Sequence, residues 1–163
     1  MNIRFSDQEF YYDENSIFLA GPTLRDNVFA NSWRSEACDI LKNMGFNGTV
    51  YIPEFSIPRH FDDSDLDNQV EWEWDCLDTA GVIAFWVPRE LELLPGFTTN
   101  VEFGRYITKK PNQVILGYPE NAEKIEYLKR LYLNEIAKEP ARTLEETLKK
   151  SVDLLLFNRK SLI

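Results

Sequence analysis

The chain has 163 residues, 44% hydrophobic and 28% charged, which is the size and composition of one globular domain and excludes a disordered segment. Its net charge of -9 argues against a nucleic-acid partner, because gripping a phosphate backbone takes clustered Lys and Arg; a small ligand at one local site stays open. No apolar run approaches the roughly 18 residues that cross a bilayer, so no membrane partner is expected.

The opening stretch, MNIRFSDQEFYYDENS, is polar and acidic and lacks the basic-then-apolar shape of a signal peptide. A cytoplasmic location is therefore expected, with Cys38 and Cys76 as reduced core thiols. The first dozen residues fit a strand or hairpin added at a sheet edge. Ser16 to Gly21 is a short apolar run stopped by Gly-Pro, the pattern of a buried strand. Ser32 to Met44 places Trp33, Ala37, Ile40, Leu41 and Met44 at helical spacing, with Gly45 suited to the helix end. Thr49 to Ile52 is a second strand closed by Pro53. Glu54 to Asp67, with Pro58, reads as an acidic loop, and Asn68 to Thr79 as a helix. Gly81 to Val87 is the clearest central strand. A Pro-bounded loop leads to a helix over Thr99 to Thr108, then a strand over Gln113 to Leu116. Two amphipathic helices follow, roughly Ala122 to Lys138 and Thr143 to Phe157.

Strands apolar on both faces, alternating with helices, predict an α/β three-layer domain with a mainly parallel sheet, spanning 1–163 without a second-domain linker. Ligands of such sheets bind beyond the carboxyl ends of the strands. That rule selects Gly21-Pro22-Thr23, the loop after Ile52, and the loop from Pro88 to Thr99 as walls of a site.

Several chemistries lack their residues. His60 is the only histidine, and nothing beside it builds a nucleophilic triad. There is no GxGxxG or P-loop motif, and no Cys/His set with zinc spacing. Asp62, Asp63, Asp65 and Asp67 lack the glycine and terminal glutamate of a calcium loop. No metal and no cofactor is expected. What remains is carboxylate chemistry at strand ends.

Glu102 is the first candidate, with two readings. Thr99 and Glu102 have the spacing of a capping box, a purely structural role. Alternatively, a carboxylate in a helix's first turn is held ionised by the helix dipole, the state a nucleophile needs.

The segment Glu71 to Gly104, with E-W-E-W-D-C-L-D-T-A-G-V-I-A-F-W-V-P followed by V-E-F-G, resembles the nucleoside 2-deoxyribosyltransferase family, to which deoxynucleoside-monophosphate N-glycosidases are related. F-L-A-G-P and the Trp-bearing helix fit the same pattern, and the likeness spans about residues 16 to 120. It implies a flavodoxin-like, Rossmann-like sheet, a covalent deoxyribosyl intermediate, nucleoside or nucleobase substrates, and a homo-oligomer with shared active sites. The family's nucleophile falls on Glu102. The acid that contacts the nucleobase falls on Glu73, with Glu71 as the fallback. Gly21, Pro22, Thr98, Thr99 and Asn100 are the expected substrate contacts. Two positions depart from the family: its strand tyrosine is Phe18, with Tyr11 or Tyr12 as alternative hydroxyls, and its sugar-binding Asp is Gly96. Trp72, Trp74 and Trp86 are candidates to stack a base, with core packing the commoner use of such residues. Arg89 meets an anion or pairs with Glu90 or Glu92. The segment Asn121 to Leu128, with Tyr127, is where a neighbouring subunit's contribution is expected. The implied reaction is base exchange. The alternatives are monophosphate hydrolysis and a nucleotide-binding module of the same fold without turnover, with a generic phosphate-binding protein last.

Overall fold

The computed structural model describes residues 1–24, 29–57 and 63–161, so Pro58, Arg59, His60 and Asp62 lie outside the described residues, as do the side chains of Asp63 and Asp65. Five strands form one parallel sheet in the order β1-β3-β2-β4-β5. They are β1 (Asn2–Phe5), β2 (Ser16–Ala20), β3 (Thr49–Ile52), β4 (Val82–Trp86) and β5 (Val114–Gly117). β2 to β5 are buried along their whole length, as their continuous apolar sequences require, while β1 is a half-exposed edge strand. The ambiguous first residues are thus a strand, added in parallel beside β3 with Asn2 opposite Thr49.

Side chains alternate between the two faces, and each face has its own helical layer. Phe18, Ala20, Tyr51, Ile83, Phe85 and Leu116 pack under α2 (Asp63–Thr79), α3 (Phe97–Lys109) and α4 (Glu126–Ile136). Ile17, Leu19, Val50, Ile52, Ala84 and Trp86 pack under α1 (Trp33–Asn43) and α5 (Leu144–Lys160). The result is a three-layer, flavodoxin-like sandwich. No helix among the described residues is long and apolar enough to cross a membrane.

The chain moves from β2 outward to β3, then returns to the other side of β2 to make β4. Strand order reverses there, so the crevice beyond the carboxyl ends of β2 and β4 is the place where a parallel sheet binds ligands. Gly21 lets the two strand ends close up: its φ is 152°, and a Cβ would lie 2.1 Å from the Trp86 carbonyl oxygen, so no side chain fits.

Three helix boundaries differ from the sequence reading. α2 begins at Asp63, five residues before Asn68, which shortens the acidic loop. α4 begins at Glu126 rather than Ala122, because 119–125 is taken up by turns, with Lys124 at φ 50°. α3 begins at Phe97, with Gly96 as its N-cap in the left-handed conformation (φ 60°, ψ 47°). Thr99 is therefore inside the first turn and fully buried, and Glu102 sits in the second turn. The capping box expected at Thr99 does not form. A side-chain cap is found instead at α5, where Thr143 Oγ1 accepts from the Glu146 N–H at 3.1 Å and Glu146 reaches back to accept from the Arg142 N–H, one residue before the cap, at 2.8 Å.

Candidate active site

Two helices deliver the acids. On α2, Gln69, Trp72, Glu73, Cys76, Leu77 and Ala80 recur at three- and four-residue steps, so Glu73 belongs to the stripe that faces the sheet. On α3, Glu102 is flanked by the buried Phe103 and by Tyr106 one turn further on. The helices are fastened at their far ends: Tyr106 Oη donates to Asp78 at 2.8 Å, Lys109 pairs with Asp78 at 2.6 Å, and Lys110 Nζ caps the last carbonyls of α2. With that registration, the carboxyl groups of Glu73 and Glu102 share a hydrogen bond. Gln69 Nε2 bridges Glu73 Oε1 at 2.8 Å and the Pro53 carbonyl at 3.1 Å, tying the acid to the end of β3.

Two carboxylates in hydrogen-bonding contact cannot both be ionised cheaply. Burial is the largest effect on each group and raises both pKa values above 4.5; mutual repulsion adds to it, pushing Glu102 up to about 8. The pair therefore resists losing both protons, and its two titration steps belong to the pair. This corrects the expectation that the helix dipole keeps Glu102 ionised: the side chain lies beyond the first turn, where that field fades, and desolvation wins.

Arg34 opposes this. It lies on the stripe Arg34, Ala37, Cys38, Leu41 that α1 buries, and it is inaccessible to solvent. Its guanidinium donates to the carbonyls of Leu19 (2.9 Å) and Gly21 (2.7 Å), to Thr23 Oγ1 (3.1 Å) and to Glu54 Oε1 (2.6 Å). Ser32 Oγ donates to the same Glu54 oxygen at 2.6 Å, while Glu54 Oε2 is buried without a partner. The positive charge acts on both Glu73 and Glu102, favouring their ionised forms.

The other expected residues divide. Gly21 and Pro22 border the crevice: the Trp33 indole N–H donates to the Pro22 carbonyl at 2.9 Å, and Pro22 lies against Gly96, where a Cβ would meet the proline ring at 3.2 Å. Thr98 and Asn100 are exposed at the start of α3, and Thr99 is buried. Glu71 is exposed on α2, so Glu73 is the acid that meets Glu102. Phe18 is buried with its ring 6.5 Å from that of Trp72. Tyr11 and Tyr12 stand at the surface, 59% and 57% exposed. The buried tyrosine beside Phe18 is Tyr51, whose hydroxyl donates to the Tyr11 carbonyl at 2.6 Å and accepts from the Asp13 N–H at 3.1 Å.

Trp86 packs in the layer under α1 and α5, and Trp72 is buried against Phe18 and Tyr51. Trp74 is half exposed, with the Arg105 guanidinium 5.7 Å from its ring. Arg89 is buried and bonds to Asn100 Oδ1 and the Lys124 carbonyl, not to Glu90 or Glu92. It lines a hollow of about 360 Å³ between α3 and α4 that Glu102 does not line. Among the described residues, no His, Cys, Asp and Glu cluster is arranged to hold a metal ion.

Arg34, Glu54, Ser32 and Gln69 were not singled out from sequence. The signal for Arg34 was its place on the apolar stripe of α1, where an ionisable residue is out of keeping. Glu54 directly follows a strand end, the position where parallel sheets place functional groups, but its acidic neighbours disguised it as loop.

No curated protein matches the chain. A family model described as nucleoside 2-deoxyribosyltransferase like matches residues 14–120. That span runs from the start of β2 past the end of β5 and includes Arg34, Glu54, Glu73 and Glu102. Covering more than half of the sequence, the match establishes that the chain belongs to the nucleoside 2-deoxyribosyltransferase-like family.

Proposed function

We propose that the protein exchanges the base of a 2-deoxyribonucleoside through a covalent deoxyribosyl ester on Glu102. The hydrogen-bonded Glu73–Glu102 pair beside the strand-order reversal is the observation that carries this reading. The shared proton moves onto Glu73, leaving Glu102 ionised. A Glu102 oxygen then attacks the anomeric carbon as its bond to the base nitrogen breaks. The bonding pair leaves with the base, which takes the proton from Glu73. An incoming base attacks the anomeric carbon from the vacated face as its bond to the Glu102 oxygen breaks, the electron pair returning to the carboxylate, and the base gives up its proton to Glu73, so two inversions give net retention. Absence of the sugar 2-hydroxyl lowers the barrier to positive charge at the anomeric carbon and leaves room for the carboxylate. Gly21, Pro22, Thr98, Thr99 and Asn100 are proposed to border the sugar, in part through free backbone amides at the start of α3.

Mixing the protein with deoxyadenosine or deoxycytidine and a foreign base is expected to yield the exchanged nucleoside, with a deoxyribosyl adduct on Glu102 in the intact mass. Free sugar or sugar phosphate as the sole product would convert the proposal into hydrolysis, and tight binding without either product would leave a ligand-binding module.

A homo-oligomer is part of the proposal. Phe97, Val101 and Tyr127 are 74%, 73% and 77% exposed on the outer faces of α3 and α4, apolar area that an interface would cover. Sedimentation equilibrium should give a mass of at least twice 19.1 kDa at micromolar concentration, falling towards one chain in Val101→Lys. A wild-type monomer would end this part of the proposal.

A further inference from the structure

We propose that Arg34 is a positioning residue of the active site: it fixes the carbonyls that frame the crevice, and its buried charge, held by Glu54 next to the Pro53 carbonyl that tethers Gln69 and Glu73, bears on the Glu73–Glu102 pair. This rests on the reading of those two acids as the reacting groups.

The geometry is that of a built device rather than a chance ion pair. Four donor interactions gather the end of β2 (Leu19), the loop (Gly21, Thr23) and the end of β3 (Glu54) onto one planar group. The Arg34 guanidinium carbon also lies 4.5 Å from the centre of the Trp33 ring, and that indole holds the Pro22 carbonyl. Arginine suits this role because its fork is rigid and it stays charged when buried. Its partner Glu54 satisfies it through one oxygen while the other remains without a partner, so the compensation is one-sided.

A fixed, unhydrated cation acts over a longer range than an exposed one, since little water screens it. The groups that bear on the carboxyl pair are each other, the neutral Gln69 amide and Cys76 thiol of α2, the Tyr106 phenol of α3, Arg34 of α1 and, through Arg34, Glu54 at the end of β3. Without Arg34, burial and repulsion would act on the pair unopposed, and less charge would be free for attack on the sugar.

The test compares Arg34→Met, Arg34→Lys and Glu54→Gln in the full chain. Infrared titration of carbon-13-labelled glutamate carboxyls, assigned with Glu73→Gln and Glu102→Gln, reads the pair without substrate. Removing the charge in Arg34→Met should move both midpoints of the pair up by about one pH unit or more. Arg34→Lys should leave them within a few tenths of a unit. Glu54→Gln, which strips Arg34 of its counter-charge, should move them down, and it serves alone if Arg34→Met does not fold. Midpoints unmoved in both Arg34→Met and Glu54→Gln, or moved in the same direction, would overturn the inference and leave Arg34 a structural clamp. The base-exchange assay is read separately. Opposite shifts in a protein that never exchanges bases would uphold the electrostatic coupling and remove its catalytic meaning. Exchange with unmoved midpoints would remove the coupling alone.

Discussion

Replacing Glu102 by Gln is expected to lower base exchange by about 10⁴-fold or more, whereas Glu73→Gln should lose about 10²- to 10³-fold. The difference follows from what each oxygen does. Gln cannot form the ester, so the double-displacement route closes at position 102, a loss of about 5 kcal/mol of transition-state stabilisation or more at 1.4 kcal/mol per decade. At position 73 the lost function is delivery of a proton, and general acids typically contribute about 10²–10⁴. Substrates whose bases leave well without a proton should therefore suffer least from Glu73→Gln.

The pH profiles should differ as well. In the wild type the active form carries one proton on the pair, which predicts a bell shaped by two macroscopic steps, the upper one near the value of about 8 seen for Glu102. In Glu73→Gln the like-charge neighbour is gone, so Glu102 ionises below that upper value, and the upper limb, which reports loss of the shared proton, disappears. The effects of the two substitutions should also fail to add, because the proton they share can be lost only once. Steady-state rates from pH 5 to 9 for both single variants and the double variant check all of this. Equal losses at all pH values, adding fully in the double variant, would break the picture of a coupled pair.

The fold was legible because β2 to β5 are continuous apolar runs separated by helical periodicity, a pattern with few other solutions. Strand β1 was legible only as a strand or hairpin added at an edge: Asn2–Phe5 is half exposed, and its register comes from β3, not from its own sequence. The start of α3 was misplaced for a related reason. Thr99 has the side chain of a cap, but Gly96, free to turn left-handed against Pro22, ends the loop three residues earlier. The acids could be picked out by the family resemblance, Glu73 by it alone, since local spacing offered Glu102 a capping role as well. Their contact could not, because residues 29 apart meet only when two helices pack in one register, set partly by Asp78, Tyr106 and Lys109. Nor could the partners of the charge beneath them: the apolar stripe of α1 marks Arg34 as out of keeping, but Leu19, Gly21, Thr23 and Glu54 come together on it only in the fold.

A site that buries two acids together should be a liability to the fold, and this gives the second large effect. Both groups have folded-state pKa values above their usual range, so the folded chain binds more protons than the unfolded one between about pH 4.5 and 8. Stability must then fall as pH rises through that window. Their contribution is fully present below the ordinary carboxyl range, where both states are protonated, and Glu102's share is lost by the time it ionises near 8 in the folded chain. Asp78 and Glu146 work the other way: their ion partners lower them, and what they add is lost as pH falls. Both are well exposed, with side chains 40% and 43% accessible, and contribute little. Glu102→Gln removes the ionisation from the pair and keeps the shape. Denaturant unfolding should find it equal to the wild type at pH 4 but more stable at pH 8, by an amount on the order of a few kcal/mol. The most inactive variant is thus expected to be the more stable one, the trade that a strained catalytic site implies. A variant no more stable than the wild type at pH 8 would mean that Glu102 ionises freely in the folded protein, and the shared proton on which the mechanism turns would have no physical basis.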